Sequence, residues 1–184
     1  MEQAEAELRR KAETIRQRLG EEYGEPAGVR DLDAVSELVS TILSQNTNDA
    51  NRDVAFNRLR QRFPTWQEVL EADPGAVVDA IRPAGLANQK APWIQQALRA
   101  IVAERGELDL EFLRDWPVAE AKAWLSSLQG VGPKTAAIVL LFALGRPAFP
   151  VDTHVHRVSG RLGLIGPRVT REKAHDLLED LIPA

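Results

Sequence analysis

The sequence predicts an all-α protein, and three observations carry that expectation. Apolar residues recur at intervals of three and four, alternating β-branched runs are nearly missing, and capping residues, glycines and prolines punctuate the periodic stretches. At 184 residues the chain can bury a substantial core, either as one compact domain or as two small helical lobes packed together.

The elements follow in order. Residues 3–19 read as a polar amphipathic helix ending at Gly20 and Gly24, in the Gly/Pro-rich break GEEYGEPAGVRD. Val35, Leu38, Val39, Ile42 and Leu43 form a helical stripe, so a core helix spans Asp33 to Ser44. A second helix covers Thr47 to Arg62, with Val54, Phe56 and Leu59 apolar and Pro64 stopping it. Thr65 with Glu68 is a capping box, and Asp73-Pro74 places a cap before a proline at the first helical position, so two short helices follow. Asn88 to Glu104 is a longer helix ended by Gly106, and Pro117 to Leu128 is another, with Trp116 and Trp124 as core aromatics. After a glycine turn at 130–132 comes the apolar helix KTAAIVLLFAL, closing at Gly145. A further helix opens at Asp152 and runs to about Leu162, and the last starts near Thr170.

Composition narrows the function. Cysteine is absent, which removes disulfides, thiolate catalysis, zinc–thiolate sites and cysteine-ligated iron–sulfur clusters from these residues and fits a reducing cytoplasm. The N-terminal residues alternate acids and bases, as neither a signal peptide nor a membrane anchor does, so a soluble protein is expected. The net charge is −4, yet between Gly130 and Arg171 six cations (Lys134, Arg146, Arg157, Arg161, Arg168, Arg171) face the single acid Asp152. That stretch is +5 and the remainder −9, an asymmetry that suits a phosphate-facing surface or an arginine-rich solvated face.

The string from Leu125 to Ala136, LSSLQGVGPKTA, holds most of the functional information. Gly130 and Gly132 straddle Val131 and permit a tight turn with a bare backbone, while Pro133 suits a helix start. The unpaired amides there meet the positive end of the helix dipole and make an anion site, although a lone G-x-G is also an ordinary corner between helices. Lys134, in the first turn, sits at the unfavourable end of that dipole. Partial burial beside the apolar helix would also lower its pKa, giving a neutral amine able to act as a nucleophile. A phosphate-contacting or solvated lysine is the plainer alternative. Eighteen residues further on, the loop Phe149-Pro150-Val151-Asp152 leads into a helix, and Asp152 can be both its N-cap and a rigidly held carboxylate in the same cleft.

These residues resemble endonuclease III and its relatives among the helix-hairpin-helix base-excision DNA glycosylases. The likeness runs through Ser44-Gln45-Asn46-Thr47-Asn48-Asp49, Gly85-Leu86-Ala87-Asn88-Gln89-Lys90-Ala91, the hairpin, and Val151-Asp152-Thr153-His154. It implies a six-helix lobe over 31–148, a second lobe from 1–30 plus 149–184, and double-stranded DNA with a damaged base or abasic site bound between them by a monomer. It also implies that Lys134 is the nucleophile and Asp152 the catalytic carboxylate. Gly130, Val131, Gly132 and Thr135 would form the DNA-facing hairpin, with His154 and Arg157 beside it and Leu86 as an apolar wedge. Gln45 or Asn46 would fill the gap left by the extruded base; the motif reads SQNTND rather than the commoner SAQATD, so either amide fits. The implied activity is a glycosylase with β-elimination lyase chemistry on oxidised pyrimidines, in the cytoplasm at the nucleoid. Alternatives are a monofunctional uracil or thymine mismatch glycosylase, which Lys134 disfavours, and a non-catalytic helix-hairpin-helix module.

No metal or other cofactor is expected of these residues. The family's iron–sulfur cluster sits in a C-terminal tail of four cysteines, and this chain ends about where that tail begins; a truncated chain is expected, with a cluster-free branch as the alternative. His156 stands where relatives carry an aromatic or aliphatic residue. His154 and His156 lie two apart on a helix and point apart, so with His175 they make a poor metal set, and His154 reads better as a structural hydrogen-bonding residue. Trp66, Trp93, Trp116 and Trp124 could stack on bases, but their helical spacing favours core packing.

Overall fold

The computed structural model describes residues 2–24 and 32–182, which are helical with no strand among them. Helix α1 (Glu2–Tyr23) runs through Gly20, because an interior glycine costs only about 1 kcal/mol and does not end a helix by itself. Termination waits for Gly24 at φ +78°, a left-handed conformation. The rest of the expected break, 25–31, lies outside the described residues.

Helix α2 (Ala34–Ser44) starts where the Asp33 carboxylate accepts the Ser36 N–H at 2.9 Å, and its residues from Ala34 to Leu43 are all buried. Helix α3 (Asp49–Arg62) begins two residues later than predicted, because Asn48 caps it by accepting the Asn51 N–H at 2.8 Å. Its buried face is Arg52, Ala55 and Leu59, which leaves Val54 exposed. Helices α4 (Trp66–Glu71) and α5 (Pro74–Ile81) are capped by Thr65 and Asp73. A 3-10 turn, Arg82–Ala84, then leads to α6 (Ala87–Arg105). Pro92 lies inside α6 on its exposed side and supplies no N–H to the carbonyl four residues before it.

A second 3-10 turn, Glu111–Arg114, precedes α7 (Val118–Ser127). The predicted apolar helix is not uniform. It begins as α8 (Pro133–Ile138) and widens into a π turn over Val139–Ala143. The carbonyls at its end are taken up by the Arg114 guanidinium, which donates to Ala143 and Leu144, and by the Arg146 N–H, which donates to Leu140 at 2.8 Å. Helices α9 (Thr153–Arg161) and α10 (Arg171–Leu181) follow, capped by Asp152 and Thr170.

Apolar side chains gather in two clusters. The larger draws on α2 to α8 and ends at Ala148. The smaller joins Ala12 of α1 to Val151, Leu164, Ile165 and the α10 residues Ala174, Leu178 and Leu181, with Leu8 and Ile15 alongside. The chain thus passes from one cluster to the other at Ala148–Val151, between Lys134 and Asp152. Lys122 of α7 reaches across the boundary, donating to Asp176 at 3.0 Å and Glu179 at 2.9 Å, while Glu179 accepts the Phe149 N–H at 2.9 Å.

Three of the four tryptophans have aromatic packing partners, Trp66 buried and Trp116 and Trp124 half-buried. Trp66 is buried against Phe56, and Trp116 and Trp124 meet Phe112 edge-on with centroids 5.5 and 5.4 Å away. Trp93 lies beneath the glycine turn: a Cβ added at Gly130 would fall 2.5 Å from its ring. Trp93 is therefore a floor for the hairpin.

Candidate active site

An open cleft of about 550 Å³ lies where the two clusters meet. Asn46 and Thr47 line it from the end of α2, Gly132, Pro133 and Lys134 from the start of α8, Val151 to His154 from the start of α9, and Arg171, Glu172 and His175 from α10.

Lys134 and Asp152 both open into this space. The partial burial anticipated for Lys134 is not found; it is exposed, because Pro133 and Lys134 lie on the outer side of the first turn of α8, while Thr135 and Ala136 take the side that packs inward. Asp152 caps α9, and its Oδ1 accepts the His154 N–H at 2.8 Å and the Val155 N–H at 2.7 Å. Both bonds fall on Oδ1, which leaves Oδ2 without a hydrogen-bond partner among the described residues. Partial burial raises the pKa of this carboxyl, but the two amide bonds and the positive charges of Lys134 and His154 outweigh it, so the net shift is downward. Asp152 is thus held rigidly as a carboxylate.

The other candidate residues divide. Gln45 donates its amide to the Gly130 carbonyl at 2.7 Å, fastening α2 to the hairpin, whereas Asn46 is exposed at the cleft with φ +52°. Leu86 is 46% exposed at φ +49°, on the loop before α6. Gly130 adopts φ +80°, and Gly132 has open space around it. Val131 and Thr135 turn inward, each 5% exposed, Val131 as part of the larger cluster; neither side chain is available at the surface. The Val131 N–H is also engaged, donating to Leu128 at 3.0 Å. His154 and Arg157 are exposed and paired, the guanidinium lying 3.0 Å from Nδ1.

The histidines go separate ways: His156 contacts the Val169 carbonyl at 2.8 Å, and buried His175 contacts the Phe149 carbonyl at 2.7 Å. Among the described residues no group of three or more acidic or histidine side chains converges on a metal site. Of the six cations in the basic stretch, Lys134 and Arg171 line the cleft, whereas Arg146 is spent on the Arg114 and Trp116 carbonyls. Sequence reasoning missed the α10 wall. His175 falls in the Ala174, His175, Leu178 stripe, a local signal of burial, but nothing local says that this stripe faces Asp152.

The profile of the HhH-GPD superfamily of base-excision DNA repair proteins matches residues 39–184. The chain belongs to this superfamily. Within it the likeness is to endonuclease III: the enzyme of Thermotoga maritima is 37% identical over 158 residues, covering 86% of this chain and 70% of that protein. A candidate DNA glycosylase of Arabidopsis thaliana is 44% identical over 146 residues, covering 79% of this chain, so the chain spans 50% of that relative's length. A solved non-covalent endonuclease III–DNA complex superposes with a TM-score of 0.78 at 26% identity, over 95% of this chain and 78% of that one. The helices and the cleft therefore belong to a fold that, in that relative, is seen with DNA.

Proposed function

We propose that this chain is a base-excision DNA glycosylase with a coupled abasic-site lyase activity, acting on oxidised pyrimidines in double-stranded DNA. One observation carries the reading: an exposed lysine and a rigid carboxylate, brought from two different clusters, open into one cleft. The pyrimidine preference rests on the endonuclease III likeness.

The chemistry follows from those two groups. A base stacked in a duplex is out of reach, so the nucleotide must swing out into the cleft. Leu86 would wedge beside it, and Asn46, rather than the occupied Gln45, would fill the gap. As the glycosidic bond breaks and the base leaves with the electron pair, the Asp152 carboxylate stabilises the positive charge on the deoxyribose. The departing base takes a proton from the Lys134 ammonium, and the freed amine bonds to the anomeric carbon, its surplus proton passing to Asp152. Ring opening gives an imine, which acidifies the neighbouring sugar proton; its removal expels the 3′ phosphate, and water then releases the lysine.

Borohydride trapping on duplex DNA with an abasic site tests this. The wild-type chain should give a covalent adduct that is lost in Lys134→Gln and kept in Lys173→Gln. Base release without any adduct would instead select a monofunctional glycosylase, and DNA binding without base release a non-catalytic module.

A further inference from the structure

Among the described residues only two non-glycine residues have positive φ, Asn46 at +52° and Leu86 at +49°. Asparagine adopts this conformation at little cost, here just after the C-cap of α2, whereas for Leu86 it costs on the order of 1 kcal/mol or more, strain that persists only where surrounding structure dictates it. Both are exposed, and neither is held by its own side chain. One buried side chain reaches the backbone just before each of them. Lys90 on α6 is 0% exposed, the largest fully buried side chain among the described residues, and has no acidic partner among them. Its Nζ donates to the Leu43 carbonyl and to the Ala84 carbonyl, both at 2.8 Å.

Those two carbonyls are not arbitrary. Leu43 is three residues before Asn46, in the last turn of α2, and Ala84 is two residues before Leu86, at the end of the 3-10 turn. Both segments end where a helix leaves carbonyls unsatisfied, and one buried nitrogen takes one from each. An amine carrying either two or three protons can donate both bonds, so the link survives a change of protonation. Burying an amine without a carboxylate is expensive, which a purely apolar residue would avoid.

We propose that Lys90 is a positioning residue that fixes the Asn46 and Leu86 loops relative to one another, so that they enter a duplex as a single rigid pair. This rests on the glycosylase reading given above and adds a residue that touches neither DNA nor the reacting atoms. Preset fingers would spare the protein the ordering cost of forming them on the DNA.

The test compares Lys90→Met with wild type on two substrates. On a single-stranded oligonucleotide carrying an abasic site nothing needs to be displaced, and adduct formation with borohydride should stay within about twofold of wild type. On duplex DNA carrying an oxidised pyrimidine, base release should fall by about tenfold or more, and 2-aminopurine placed opposite the lesion should lose its rise in fluorescence on binding. Leu86→Ala should give a comparable loss on the duplex, and adding Lys90→Met to Leu86→Ala plus Asn46→Ala should cost much less there than Lys90→Met alone. If Lys90→Met fails to fold, Lys90→Arg, which keeps the donors at altered reach, serves in the same comparison. Equal losses on both substrates would reduce Lys90 to a fold-supporting residue, and no loss on the duplex would end the proposal; either outcome leaves the glycosylase reading intact. A wild-type chain silent on both substrates would instead overturn that reading, and this inference with it.

Discussion

At Asp152 a cap and a reactive carboxylate coincide, and substitutions separate them. Asparagine caps helices about as well as aspartate, so Asp152→Asn should keep neutral-pH stability to within about 0.5–1 kcal/mol, whereas Asp152→Ala should lose about 1 kcal/mol. Both should reduce adduct formation by about a hundredfold. The carboxyl ionises more readily in the folded chain, so its stabilising contribution is present above the ordinary value of 3.8 and lost as the pH falls through the lower folded value. Urea melts should therefore show any advantage of wild type over Asp152→Asn fading in acid below the ordinary carboxylate range. Gly130→Ala meets two penalties at once, a positive φ and a Cβ 2.5 Å from Trp93, and should lower stability by about 2 kcal/mol or more by thermal denaturation. The pair was legible from sequence through the two strings LQGVGPKTA and PVDTH taken together, because an aspartate before a helix is by itself an ordinary N-cap and a lysine at a glycine turn an ordinary solvated side chain. His175, Arg171 and Glu172 were not legible as cleft residues, since their place depends on how α10 packs.

At the scale of elements, boundaries written in caps were readable and internal geometry was not. Asp33, Thr65, Asp73, Asp152 and Thr170 each accept a backbone N–H at the predicted helix starts. The π turn at Val139–Ala143 has no sequence signature, because KTAAIVLLFAL satisfies either ladder and the choice falls to the arginines that receive the displaced carbonyls. Gln45 is a similar case: its amide was legible as polar and near the cleft, but its bond to the Gly130 carbonyl exists only once α2 meets the hairpin. Gln45→Ala should cost about 1 kcal/mol and loosen the hairpin. Hydrogen exchange at the 128–132 amides should rise while that of α4 and α5 stays unchanged; a uniform rise would argue against a local fastening.

At the scale of the molecule, Lys122 links the two clusters. Burial lowers its pKa, but bonds to Glu179 and Asp176 overcome this and the net shift is upward. Its contribution is therefore full below the ordinary lysine value of 10.5 and lost as the pH rises through the higher folded value. Lys122→Met should cost about 1–2 kcal/mol at neutral pH, because Glu179 is largely buried and would lose its cation. Melting curves for the two proteins should converge in strong alkali. Arg171 and Lys134 face the cleft, so Arg171→Gln should weaken duplex binding about equally across sequences and reduce the salt dependence by about one ion, read from binding isotherms at several salt concentrations.

The route of the chain through its two clusters sets an order of assembly during synthesis. The larger cluster is continuous in sequence from Ala34 to Ala148 and can close as soon as those residues have left the ribosome. The first helix, with Leu8, Ala12 and Ile15, emerges before all of them yet must wait for Leu164 to Leu181 to find its apolar partners. Lys134 belongs to the part that matures early and Asp152 to the part that matures late. A nascent chain would therefore present the amine before its carboxylate is set, and the strand-cutting chemistry proposed for it would be switched on only once α10 has packed.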